Sequence, residues 1–426
     1  MSSIHNFIGN DFLNHTEKFA IRDTFGRLRV SNPATLFEFS HINNNVNNID
    51  FSDYLINGAT IVHSTDSYMS LKTSTTNGSK AVQQTRQYIP YQPGKSKLIL
   101  LTGVLEESGG ITGIRTRIGV FDDHNDKNHT LDAGGNGLFF ELDGKTLYVV
   151  ERKSSNGTGQ IDIRIPQNEW NIDTFGAGAL NPSKKIISQF NKTKIFVIDL
   201  EWLGVGFSRF GFILDGKIHY CHIFKHKKLT KPYMRTAKLP IRYEIENVSS
   251  STEGILRKIC GTVISEGGYN LKGKTFSDGT NSNYVAVPDT KYVPILTLKL
   301  KQDIIRNTIY LKNIDLLISA TTNKPIHYDI RYNPSDISGI SYRDVNDASC
   351  AQISVTGTGV TGGIVLNSGY VSTKGSQTLI ANVDDLLNNI PIAADITGTS
   401  DIVTLVAIGI GGAADVYAQF NWLEIN

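Results

Sequence analysis

The chain has 426 residues, room for two or three domains with a core each. Its 42 basic residues nearly cancel 40 acidic ones and no basic block stands out, so neither nucleic acid nor a membrane surface is an expected partner. No apolar run approaches a membrane span and no secretory signal opens the chain. The three cysteines, Cys221, Cys260 and Cys350, show no metal-ligand or disulfide spacing, so a soluble protein made in a reducing compartment is expected.

Residues 1–45 read as an extended N-terminal arm, polar and rich in Asn and His, around a short motif from Asp23 to Pro33. Leu28 and Val30 alternate with Arg27 and Arg29, the pattern of a short edge strand ended by Asn32-Pro33. Phe25, Leu28 and Val30 would supply an apolar anchor and Arg27 and Arg29 hydrogen-bond donors. The motif is thus expected to dock on a neighbouring subunit, with an edge strand of its own domain as the alternative.

Residues 46–268 alternate strands with turn residues, and long helical periodicity is absent. Lys97–Val104 follows the turn Tyr91-Gln92-Pro93-Gly94, and Arg115–Phe121 alternates Arg115 and Arg117 with Thr116 and Ile118. Gly137–Leu142 and Lys145–Glu151 flank Asp143-Gly144. The apolar stretch 194–224 reads as three strands, the last two joined at Asp215-Gly216 by a type I′ turn. That turn sets a register in which Phe212 faces His219, Phe210 faces Cys221 and Ile213 faces Ile218. The pattern predicts an antiparallel β-sandwich. A Gly- and Ser-rich run, 266–283, marks a boundary, and 269–426 continues as a second, smaller β-sandwich, with one helical turn at 383–389. The fold class is therefore all-β: two antiparallel, jelly-roll-like sandwiches behind an arm.

Few motifs carry chemistry. Gly94-Lys95-Ser96 ends like a phosphate-binding loop but lacks its first glycine and a following helix. His219 and Cys221 share a strand face and could supply two zinc ligands, with His222 and His226 close in sequence, yet no second pair exists. Asp122, Asp123, Asn125 and Asp126 form an oxygen-rich loop able to hold calcium, without the glycine and terminal glutamate of an EF-hand. No cofactor is expected. Asp199 and Glu201 alternate on one strand, as do the carboxylates of jelly-roll glycosidases, but Val197 stands where the pattern Glu-x-Asp-x-Glu puts its first acid. No enzymatic activity is expected. Tyr88, Tyr91 and Trp170 are the aromatic candidates for contact with a glycan.

The strand order before an Asp-Gly hairpin resembles the concanavalin-like jelly roll. The strings Phe25–Pro33, Gln84-Thr85-Arg86, Tyr91–Ser96, Arg117–Phe121, Gly137–Phe140, Asp199–Gly206, Leu239–Ile245 and Ser265–Gly268 resemble a family of virion structural proteins. Its members occur in tailed phages, notably marine ones, with relatives in large DNA viruses. The loop 122–135 is longer than that family's pattern leads one to expect. The resemblance implies a non-enzymatic component of a virus particle, on capsid surface, tail or fibre, assembled with copies of itself and other virion proteins. A carbohydrate-binding module or depolymerase acting on host-surface glycan is the alternative.

Overall fold

The computed structural model describes residues 31–42, 49–124, 134–155, 159–226, 229–270, 272–302, 304–372, 379–382 and 390–425. Their fifteen leading strands are β1 (Ala34–Ser40), β2 (Phe51–Ile56), β3 (Thr60–Ser64), β4 (Tyr68–Lys72), β5 (Lys80–Thr85), β6 (Lys97–Val104), β7 (Ile114–Phe121), β8 (Gly137–Asp143), β9 (Thr146–Ser155), β10 (Gly159–Pro166), β11 (Lys194–Leu200), β12 (Ser208–Leu214), β13 (Lys217–Phe224), β14 (Ile241–Asn247) and β15 (Ile255–Ser265). One antiparallel sheet runs β13-β12-β11-β6-β15-β4-β3, with β1 on the far half of β15; the other runs β10-β9-β8-β7-β14-β5-β2. Period-2 alternation turns Ile99, Leu101, Phe196, Ile198, Phe210 and Phe212 of the first sheet onto Ile118, Val120, Phe140 and Tyr243 of the second. Phe140 sits at the centre, its ring 5.1–5.2 Å from those of Phe196, Phe210 and Phe212.

The second sandwich starts with β16 (Lys274–Gly279), β17 (Val285–Val287), β18 (Val293–Leu300), β19 (Thr308–Ile318) and β20 (Ile326–Tyr332). It continues through β21 (Asp336–Ser338), β22 (Arg343–Asp344), β23 (Ala351–Ser354), β24 (Gly359–Thr361), β25 (Ile364–Val371), β26 (Leu379–Asn382), β27 (Ile402–Gly409) and β28 (Ala414–Ile425). A sheet β16-β28-β19-β26, with β17 also on β28, faces a sheet β22-β23-β18-β27-β20-β25; β21 and β24 pair separately. A separate core, including Leu296, Leu298, Ile330, Leu405, Phe420 and Trp422, lies between them. No described helix is long and apolar enough to cross a membrane.

Polar contacts tie the sandwiches together. Arg306 reaches Asp122 at 2.7 Å, Arg86 reaches Asp401 at 2.9 Å, Gln87 donates to the Tyr310 hydroxyl at 2.7 Å, and the Lys238 ammonium donates to the Ile425 carbonyl at 2.8 Å.

Several details differ from the reading of the sequence. The arm motif Phe25, Arg27, Leu28, Arg29, Val30 lies outside the described residues, as does 383–389. Ala34–Ser40, assigned to the arm, is instead a strand of the first sandwich, paired to β15 and packing Phe37 and Phe39 against its core. Its alternation of Leu36 and Phe37 with polar neighbours is broken by a bulge between Thr35 and Phe37, which masks the period. The run read as a linker contains β16, paired with the last strand.

Register departs in two hairpins. Phe212 faces His219 and Ile213 faces Ile218, but a bulge puts His222, not Cys221, opposite Phe210. Leu142-Asp143-Gly144-Lys145 and Leu214-Asp215-Gly216-Lys217 turn differently despite identical letters. Asp215 and Gly216 both have positive φ, 52° and 75°, as type I′ requires. In the other hairpin Asp143 pairs with Thr146, so the turn residues are Gly144-Lys145, with φ positive at Gly144. Asp143 is kept in its strand by Arg115 and Arg164, at 3.2 and 2.7 Å.

Candidate functional site

The face of the first sheet turned away from the core is set by the same alternation. Leu98, Leu100 and Thr102 of β6 stand beside Asp199, Val197 and Ile195 of β11, which pair with Arg209 and Gly211 of β12. On the other side Ile264, Thr262 and Cys260 of β15 flank β6. A groove of about 630 Å³ opens here, floored by Leu100, Ile195 and Ile213 and edged by Glu38, Thr102 and Thr262.

One end of this face holds its only interacting acid among the residues just named. Asp199 is buried, accepts from Arg209, and takes the Tyr220 hydroxyl at 3.0 Å. The Arg209 guanidinium lies over the Tyr220 ring, 4.4 Å from its centre. Burial, then the Asp199 charge, pushes the Tyr220 hydroxyl's pKa up, which keeps it a donor. Val197 is fully buried, so no carboxylate stands at the first position of the glycosidase pattern. Glu201 lies past the end of β11, its backbone N–H bonded to the Phe207 carbonyl at 3.2 Å. A retaining glycosidase needs a free nucleophile and an acid about 5–5.5 Å apart. Asp199 is instead already spanned by a cation and a phenol.

The aromatic candidates separate. Tyr88 and Trp170 are each 2% exposed and cannot stack on a glycan. Trp170 belongs to the core, its indole N–H donating to the Ile165 carbonyl at 3.1 Å and its ring 6.3 Å from Phe212. Tyr88 lies 5.8 Å under the Arg306 guanidinium at the junction of the sandwiches. Tyr91 alone reaches a surface cleft, of about 260 Å³ with Lys95, Tyr269 and Lys272, half-buried edge-on to Trp202 at 5.7 Å. Gly94, at φ 82°, is a turn residue, and Lys95 is tied to Gln92 and the Gly268 carbonyl.

The oxygen-rich loop is committed to arginines. Arg306 donates twice to Asp122, at 3.0 and 2.7 Å, and Arg242 grips Asp123 through both carboxylate oxygens at 2.6 and 2.7 Å. Burial opposes the Asp123 charge, but Arg242 and Lys80 outweigh it and hold the carboxyl well below its usual range. These carboxylates are not available to calcium; Asn125 and Asp126 lie outside the described residues. Cys221, His222 and His226 are also spent. Cys221 sits in the bulge, its thiol donating to the Phe210 carbonyl at 3.3 Å and its pKa pushed up by burial. His222 accepts from the Asn171 N–H at 3.3 Å, and burial brings its pKa down to about 4. His226 stacks on Tyr233 at 3.6 Å and bonds Glu151 at 2.7 Å. Among the described residues no three metal-ligating side chains converge.

Sequence reasoning missed the outer face of the seven-stranded sheet. Arg117 bridges Glu141, at 2.7 Å, and Glu244; Arg242 binds Asp123 and Glu244; Arg152 binds Asp162 at 2.9 Å through each of two nitrogens. Arg152 also lies 5.4 and 5.0 Å over Phe121 and Phe139. Charges of opposite sign at alternate positions of neighbouring strands, Arg-Thr-Arg in β7 against Glu-Leu-Asp in β8, were the available signal.

No protein-family model and no curated protein matches the chain. Solved structures that resemble it include the endo-β-1,4-glucuronan lyase of the fungus Trichoderma reesei, 11% identical, covering 54% of this chain and 95% of that one, with a TM-score of 0.36. Bacillus licheniformis β-glucanase is 11% identical over 54% of this chain and 98% of its own, at a TM-score of 0.35. Peanut lectin is 12% identical over 55% and 98%, at 0.32.

Proposed function

We propose that this chain is a non-enzymatic structural component of a virus particle, which assembles with its own copies and other virion proteins through its sheet faces and its N-terminal segment. The observation that carries the non-catalytic part is the state of Asp199. It is ion-paired with Arg209 and accepts the Tyr220 hydroxyl, beside a fully buried Val197, on the face where a jelly-roll glycosidase would hold free acids. The apolar floor of Leu100, Ile195 and Ile213 suits a packed protein contact. The virion assignment draws its support from the family likeness of the strings from Phe25 to Gly268.

A second reading is glycan attachment through the same groove, favoured by the hydroxyls of Thr102 and Thr262 and the carboxylate of Glu38 along its edges. Mass spectrometry of purified particles separates the two. Detection at stoichiometric copy number supports the structural role, and absence from particles overturns it. Retention on a glycan array, lost on Ile195→Lys, would establish the second reading. Reducing ends released from host-surface polysaccharide, and abolished by Glu201→Gln, would overturn the non-catalytic assignment.

A further inference from the structure

Lys258 points inward from β15 and is fully buried between the two sheets of the first sandwich. The alternation that places Leu256 in the core places Lys258 there too, just before the strand bulges at Ile259. Its Nζ lies 3.0 Å from the centre of the Phe51 ring, 4.4 Å from Phe39 and 5.6 Å from Tyr243. It donates to Oε1 of Gln83, 2.7 Å away on β5 of the opposite sheet. Gln83 is 5% exposed, and its Nε2 donates to Oδ1 of Asp53 at 2.8 Å. Asp53, Gln83 and Tyr243 are register partners on adjacent strands, so the acid, the amide and the phenol stand in one row. The described residues place no carboxylate at ion-pairing distance of Nζ, although a buried lysine ordinarily has one.

We infer that Lys258 and Gln83 are the partners of an intramolecular isopeptide bond that forms after folding and joins the two sheets. In this reaction Nζ attacks Cδ of Gln83 and the new C–N bond forms. The tetrahedral intermediate then expels Nε2, breaking the Cδ–Nε2 bond. One proton passes from Nζ to Nε2 within the tetrahedral intermediate, and that nitrogen leaves as ammonia; Asp53, already accepting from Nε2, holds the leaving nitrogen in place. A primary amide and an amine become a secondary amide and ammonia, with no oxidant, nucleotide or metal in the balance.

Three features favour the step. The attacking amine must be uncharged, and burial holds the Lys258 pKa well below the ordinary lysine value, against the opposing pull of Asp53 and Asp50. The last torsion of a glutamine side chain is soft, so the Gln83 amide can swing Cδ toward the nitrogen that its oxygen now accepts from. Folding supplies the effective concentration, since both groups are fixed on strands of one core.

The test is the intact mass of the full chain after purification. It is expected to be lower than the sequence mass by one ammonia, and fragment spectra of a digest should show the peptides carrying Gln83 and Lys258 joined. Lys258→Met, which keeps most of the buried volume, is expected to restore the unmodified mass, and Asp53→Ala to accumulate unlinked chain. An unmodified mass in folded wild-type protein after prolonged incubation overturns the inference and leaves Lys258 as a hydrogen-bond donor among rings. A linkage that maps to any other pair of residues overturns it as well.

Discussion

Gly216 shows how a single backbone angle sets a register. Its φ of 75° is the left-handed region, and a side chain there would meet nothing within 4 Å, so the objection to one is conformational alone. Gly216→Val should therefore cost about 1–3 kcal/mol in thermal or denaturant unfolding. An unchanged midpoint would show that the turn does not fix β12 on β13. Two buried lysines give a pH signature. Burial, with Lys238 nearby, brings the Lys97 pKa down to about 7, and burial does the same to Lys238. Between that value and the ordinary lysine pKa, the unfolded chain holds a proton that the folded chain has released. Stability then rises with pH, by up to about 1.4 kcal/mol per unit for each lysine, while below about pH 7 the full penalty persists. Melting midpoints that climb from neutral to mildly alkaline pH, with the slope reduced in Lys97→Met, are the expected result.

At the scale of the strand, the seven-stranded sheet carries charge where sheets usually carry solvent-facing polar groups. Arg242 is 1% exposed and binds Asp123 and Glu244 together. Its loss removes the bidentate partner of buried Asp123 and leaves Glu244 to Arg117, so Arg242→Met is expected to destabilise by about 3–5 kcal/mol in denaturant titration. A change under 1 kcal/mol would mean that water or Lys80 takes over. The strands themselves were legible: Lys97–Val104 and Lys217–Phe224 have their sequence-read bounds, because apolar alternation ends at clear turn residues. Their faces were less so. A bulge at Cys221 shifts pairing by one residue and sends a candidate metal ligand into the core, and no propensity marks such a bulge in advance. Trp170 and Tyr88 misled for a related reason. An aromatic residue beside a loop reads as available until the opposite sheet is known to cover it, as Phe212 covers Trp170. The acid-arginine layer went unread because some of its pairs join strands that are distant in sequence, Asp123 and Arg242 being 119 residues apart.

Across the whole molecule, the part played by the N-terminal segment depends on where the first sandwich begins. β1 pairs along the half of β15 that β4 leaves open, and its Phe37 and Phe39 pack on Phe51 at 6.1 and 5.2 Å, beside buried Lys258. A chain starting at Val46 would expose that edge and remove two of the rings that shelter the core. It should lose more than about 3 kcal/mol, since truncating a well-packed Phe alone costs about that much. A chain starting at Ser31 keeps every one of these contacts, and its circular dichroism and melting should match those of the full chain. The two truncations therefore separate folding from assembly, which a single cut near residue 45 would confuse. If residues 1–30, with Phe25, Leu28 and Val30 as apolar anchors, attach the protein to its neighbours, the Ser31 chain should fold normally yet fail to oligomerise or enter particles. Assembly by that chain at full efficiency would remove the segment from the attachment surface and leave the sheet faces to carry it.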